Sequence, residues 1–122
     1  LKTISFSPKI NINNAQLLFN GRYSLQTIVG ELDFSFIGNA NSQNLVFNGC
    51  TSLKEVRFTK ESIKYNLSFT QSSQLSDESI QSILDGLANV STQTLSLNSG
   101  VYAKLTEEQK QSATDKGWTI TG

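Results

Sequence analysis

A chain of 122 residues fits one compact domain with a modest hydrophobic core. Lys plus Arg balance Asp plus Glu at ten each, which excludes a net field able to draw in nucleic acid or an anionic membrane. The absence of histidine removes His-based triads, His metal clusters and the usual general base near neutral pH.

In chain order, Leu1 to Ile10 lacks the basic start and apolar run of a signal peptide, and Leu1 to Phe6 reads as extended. Because the chain starts at Leu1 and contains no methionine, it is expected to be a processed or excised part of a longer polypeptide, with any export signal upstream. The stretch "LFNGRYSLQTI" from Leu18 to Ile28 then aligns with "VFNGCTSLKEV" from Val46 to Val56, at an offset of about 28 residues. Continuing that register gives a recurring triplet: Leu17-Leu18-Phe19, Leu45-Val46-Phe47, Leu67-Ser68-Phe69, Leu95-Ser96-Leu97 and Trp118-Thr119-Ile120. Each is expected to be a short strand with its outer two members inward and its middle member outward.

Between the triplets, Leu25 to Phe36 and Leu53 to Phe58 are rich in Ile, Val, Thr and Phe and are predicted to be extended. Leu75 to Leu87 places Ile80, Ile83, Leu84 and Leu87 on one helical face. Ser76 is its N-cap, Asp77 and Glu78 its first turn, and Leu75 with Ile80 its hydrophobic staple. A second helix is predicted from Thr106, in capping-box register with Gln109, to Lys116, with Gly117 as its stop. The expected fold class is therefore α/β leaning to β: a short leucine-rich-repeat solenoid, mostly β coils in the N-terminal half and two helix-strand repeats at the C-terminal end. Residues 1–122 form a single domain, with 105–122 as a capping unit.

Three residues after the last member of the triplets stand Arg22, Cys50, Ser72 and Gly100. A repeat of leucine-rich type wants a small polar residue there, bonding turn backbone inside the coil. Cys50 fits that role and Arg22 does not. As the single cysteine, Cys50 cannot form an internal disulfide.

The unit Leu45 to Leu53 and the closing stretch Leu75 to Thr121 resemble the bacterial-surface leucine-rich repeats of BspA-like type. The closing stretch resembles in particular the C-terminal end module of tailed-phage virion proteins, often tail or baseplate components. The resemblance implies an appendage for adhesion or receptor contact, attached to a larger upstream region, and carries over no binding residue.

About two-fifths of the residues are Asn, Gln, Ser or Thr, an uncharged hydrogen-bonding composition suited to a virion or to an extracellular or cell-surface setting. On stacked triplets the outer ladder would present Asn20, Asn44, Asn48, Asn66, Ser68, Thr70, Ser96 and Asn98, the candidate binding residues. Amides and hydroxyls suit neutral sugars; the plainer reading is that they solvate an open sheet and discourage edge pairing. Trp118 occupies a core position, whereas Tyr23 and Tyr102 fall in turns where ligand contact and core cover are equally open. Phe36 reads as packing.

No catalytic constellation emerges. Asp77 with Glu78 and Glu107 with Glu108 sit in first helical turns, where the macrodipole accounts for them. Glu31 and Asp33 share a strand face but lack the further oxygen ligands that calcium needs. Neither metal nor cofactor is expected, and Gly-rich phosphate loops are absent. No run approaches the ~20 apolar residues of a membrane span. The expected function is non-enzymatic: an adhesion or receptor/glycan-binding module of a phage virion or bacterial surface protein, whose partner is a host-surface glycan or protein. The alternative is a structural decoration or assembly domain packing on sister virion or surface proteins. The apolar pair Leu18 and Val46 on the outer face motivates that alternative.

Overall fold

The structure, a computed structural model, describes residues 2–11, 19–35, 37 and 46–122, with residues 6–11 described by their backbone. Among these, β-rich segments build a first parallel sheet in the order β1 (Thr3–Asn11), β2 (Thr27–Asp33), β3 (Glu55–Phe58). Thr3 pairs with Thr27 and Thr27 with Glu55. Both pairings shift register at the level of Gly30, whose φ of 103° is a bulge conformation that favours glycine. Past the bulge, Leu32 and Asp33 are both buried.

The chain reverses in three turns of the same design. Arg22 N donates to Phe19 O, Cys50 N to Phe47 O, and Ser72 N to Phe69 O, at 3.2, 3.1 and 2.9 Å. Each turn closes on a buried leucine: Leu25, Leu53 and Leu75. Gly21 and Gly49 hold φ of 75° and 83°, and a Cβ on Gly49 would lie 3.1 Å from the Gly21 Cα, so the backbones meet there. Inside, Phe47 stacks on Phe19 at 5.6 Å and on Phe69 at 4.5 Å between ring centroids. Phe58 meets Phe34, Phe47 and Phe69 edge to face. Such ring pairs add about 0.5–1.5 kcal/mol each beyond their burial.

A second parallel sheet has the order β4 (Leu67–Phe69), β5 (Gln93–Leu97), β6 (Trp118–Thr121). Helix α1 (Asp77–Gly86) follows the third turn, α2 (Ser99–Ala103) follows β5, and α3 (Glu107–Asp115) precedes β6. Ser76 caps α1 by accepting from Ser79 N, and Thr106 with Gln109 forms a complete capping box on α3. Gly117, at φ 90°, turns the chain into β6, and a Cβ there would run into Val90 O. Helix α1 also seals the edge of the first sheet. Val56 N donates to Ser79 Oγ at 3.0 Å and Phe58 N to Ser82 Oγ at 2.9 Å, so side-chain hydroxyls satisfy β3 where a further strand would.

The expected solenoid, a mostly β coil with five triplets in one ladder, is corrected by this arrangement. The described residues form a small α/β structure with two separate three-stranded parallel sheets and three helices. Among the described residues, strands occur at the last three triplets. Phe19 and Val46-Phe47 belong to turns, because each "FNG" drives the chain into a positive-φ glycine at the point where a strand would have to continue. The links expected to be extended, Leu25 to Phe36 and Leu53 to Phe58, contain the strands Thr27–Asp33 and Glu55–Phe58 of the first sheet. Val46 is fully buried, so its expected outward placement is also corrected: alternation governs a strand and not a turn. Leu17, Leu18 and Leu45 lie outside the described residues. Arg22 does not disturb its turn, since its side chain points to solvent while the backbone repeats the pattern.

Candidate binding surface

Alternation in the second sheet separates two chemistries. Leu67, Phe69, Leu95, Leu97 and Trp118 are buried, with Ile120 packed beside them. The residues between them face outward in register: Ser68 opposite Ser96, Ser96 opposite Thr121, and Thr94 opposite Thr119. Parallel strands lie about 4.8 Å apart, so like groups recur at that step across the sheet. The face holds hydroxyls and amides and no formal charge.

Several of those polar groups are engaged in holding the sheet together. Asn66 Oδ1 accepts from Thr94 N at 2.7 Å, and Gln93 Oε1 accepts from Asn66 N at 2.8 Å. Asn98 donates from Nδ2 to Thr70 O at 3.2 Å and accepts from Gly100 N at 2.9 Å, capping α2. Asn66 and Asn98 are therefore scaffold as much as candidate contacts. Ser68, Thr70 and Ser96 present hydroxyls on the same face, with Ser68 and Thr70 Oγ atoms 3.3 Å apart.

Asn20 and Asn48 follow Phe19 and Phe47 directly, as Thr70 follows Phe69, so they line up on the stacked turns beside the sheet. Asn48 is exposed and Asn20 half-buried, and Gly21 N donates to Asn48 O at 2.8 Å. Seven of the eight expected residues thus fall on the second sheet or the adjoining turns, whereas Asn44 lies outside the described residues.

Among the aromatics, Trp118 is core, its Nε1 donating to Ala88 O at 2.8 Å. Tyr102 lies in α2 and not in a turn, half-buried against the core, with Lys110 Nζ 4.7 Å from its ring centroid. Tyr65 is likewise half-buried, whereas Tyr23 is 69% exposed. Phe36 lies outside the described residues.

Cys50 is fully buried, donating from Sγ to Phe19 O at 3.2 Å, and burial pushes its thiol up to about 11. It is a protonated turn bond and a poor nucleophile. The first-turn acids are exposed on α1 and α3, with loose surface ion pairs from Lys104 to Asp77 and from Lys110 to Glu107. Glu31 and Asp33 do not converge: Glu31 is exposed and accepts from Thr59 Oγ1, whereas Asp33 is buried and accepts from Ser35. The described residues bring together no three His, Cys, Asp or Glu side chains able to hold a metal ion. No helix among them is long and apolar enough to cross a membrane.

One feature escaped the sequence reading. An open groove of about 860 Å³ runs between α1 and the ends of β2 and β3, with Glu31, Glu78 and Asp85 set among Arg57 and Lys60. Its only sequence signal is the polar face of α1 at Glu78, Gln81, Ser82 and Asp85, which says nothing about the strand beside it. Arg57 is already bonded to Val56 O, Ser79 Oγ and Glu55 Oε2. Compared with known proteins, the chain matches no family model, no curated protein and no solved structure.

Proposed function

We propose that this chain is a non-enzymatic adhesion module that binds a neutral glycan through the outer face of β4–β6 and the adjoining turns. The observation that carries this reading is the in-register array of Ser68, Ser96, Thr121, Thr94 and Thr119, uncharged hydroxyls repeated across three parallel strands. Sugar hydroxyls need donors and acceptors held in a fixed pattern, and the amide bonds of Asn66, Gln93 and Asn98 hold this one. The resemblance of Leu75 to Thr121 to end modules of phage tail and bacterial surface proteins supports a setting on a virion or cell surface. The alternative, a decoration or assembly domain, loses one of its two motivating residues, since Val46 is fully buried.

A glycan array probed with the chain, together with adsorption to bacterial cells, tests the reading. Binding to neutral glycans that Ser96→Arg abolishes and that Ser112→Arg, on exposed α3, leaves intact is the expected result. Absence of binding at millimolar sugar and to cells would overturn it.

A further inference from the structure

We propose that Tyr23 is the stacking platform of this surface, and that the ligand is a linear neutral oligosaccharide laid across the stacked turns and not a single terminal sugar. The inference rests on the glycan reading above.

Tyr23 is the one aromatic among the described residues that is largely exposed, at 69%. Exposure alone decides nothing, because single exposed apolar groups are common. Its placement decides. The backbone beneath the ring is fixed by four bonds: Tyr23 N to Gly21 O, Arg22 N to Phe19 O, Leu25 N to Arg22 O, and Gly21 N to Asn48 O. With that backbone fixed, only the two side-chain torsions of Tyr23 remain to be ordered when a ligand stacks on it.

The repetition of the turn supplies the rest of the site. Tyr23 stands four residues after Phe19; Thr51 and Ser73 stand four after Phe47 and Phe69, and both are exposed. The stacked rings inside set the step between levels, 5.6 Å from Phe19 to Phe47 and 4.5 Å from Phe47 to Phe69. Asn20, Asn48 and Thr70 form a second column beside the first. The strip is therefore an aromatic face followed by hydroxyls and an amide at intervals suited to successive pyranose rings. The first sugar presents its apolar ring face to Tyr23, and the next two offer hydroxyls to Thr51, Asn48 and Ser73. Arg22, exposed beside Tyr23, adds donors for sugar oxygens.

Titration calorimetry of the whole chain with neutral gluco-, manno- and xylo-oligosaccharides, from monosaccharides upward, tests the proposal. Affinity is expected to rise with length through at least three units, the number of stacked turns. Tyr23→Ala lowers it about tenfold or more, and Tyr23→Phe keeps it within about threefold. Ser73→Arg weakens trisaccharides and leaves monosaccharides unchanged. Unaltered thermal midpoints confirm that these exposed substitutions leave the fold intact. Binding that survives Tyr23→Ala but is lost in Ser96→Arg, or equal affinity for monosaccharides and trisaccharides, overturns the platform while the glycan reading stands. Failure of every sugar in the series defeats the glycan reading itself.

Discussion

Ser72 Oγ donates to the carbonyl of Cys50 at 2.8 Å, and Cys50 Sγ makes the same kind of contact one level away, to the carbonyl of Phe19 at 3.2 Å. Both side chains are fully buried, and each adds a second bond to a turn carbonyl that also accepts from backbone, from Leu53 N at Cys50 and from Arg22 N at Phe19. Ser72→Ala should destabilise the protein by about 1 kcal/mol, the loss of one buried hydrogen bond, since Cys50 O keeps its longer bond from Leu53 N at 3.4 Å. Urea unfolding checks this through a lower midpoint at unchanged slope. A loss within error of zero would mean that the Leu53 N bond alone satisfies the Cys50 carbonyl.

The thiol itself makes a pH prediction. Burial raises the Cys50 pKa from 9.0 to about 11 in the folded chain, against the weaker lowering influence of Arg22. A raised folded value means that the contribution is fully present below pH 9, declines as pH rises from 9 towards 11, and is absent above that. A shift of this size corresponds to about 2–3 kcal/mol at the alkaline limit. Unfolding free energies of the parent and of Cys50→Ala across that range isolate it, since every other group is common to both. The parent should lose more stability than the variant, and at pH 8 a thiol reagent should label Cys50 only on unfolding. Parallel curves, or rapid labelling of the native chain, would refute this account.

Phe47 is the centre of the aromatic packing, stacked between Phe19 and Phe69 and meeting the edge of Phe58 at 6.0 Å. Phe47→Ala should cost about 3–5 kcal/mol from lost burial and the cavity left behind. Phe47→Leu should cost clearly less, because it refills most of the volume. Thermal or urea denaturation of the pair gives the comparison, and equal losses would show that ring stacking, and not volume, dominates.

The legible parts of the fold were those whose determinants lie close together in the chain. Ser76 and the Thr106-Gln109 box are caps that act over three residues, so residue type and spacing were sufficient to locate both helices. The shared "FNG" and following Leu announced the repeated turn in the same way. What the sequence hid was the partner of each strand. A three-residue apolar pattern reads alike in a strand and in a turn, so the outward position that alternation implies for Val46 does not hold there. The separation into two sheets depends on β2 pairing with β1 and β3, a choice made across more than twenty residues on either side. The outer hydroxyls of β4–β6 were foreseeable from Leu-Ser-Phe, Leu-Ser-Leu and Trp-Thr-Ile. Their entanglement with the amides of Asn66 and Asn98 was not, because those bonds join residues 28 apart.

Ser62 offers a prediction of opposite sign. It is buried at 1% exposure, and its Oγ has no hydrogen-bond partner. Its neighbours are held by backbone bonds alone: Glu61 N donates to Asp85 O, and Ile63 N to Gly86 O. The hydroxyl therefore contributes desolvation without compensation, and Ser62→Ala should stabilise the chain by about 1 kcal/mol. A fall in stability on this substitution would show that the hydroxyl is satisfied in solution.

Ser79 and Ser82 look alike in sequence, spaced three apart on α1, yet their substitutions should differ. Ser79 Oγ accepts from Val56 N and Arg57 Nη1 and donates to Lys54 O at 2.8 Å, in a fully buried position. Its loss orphans the buried Val56 amide, while Lys54 O keeps its bond from Ser76 N at 3.0 Å, so Ser79→Ala should cost about 1–3 kcal/mol. Ser82 is half-buried and accepts only from Phe58 N, so water can substitute, and Ser82→Ala should cost about 1 kcal/mol. Hydrogen exchange provides the local readout: protection of the Val56 amide should collapse in Ser79→Ala while that of the Phe58 amide largely persists, and the reverse should hold in Ser82→Ala. If both amides lose protection together in either variant, β3 and α1 open as one unit, and the two serines cannot be treated as independent seals on the sheet edge.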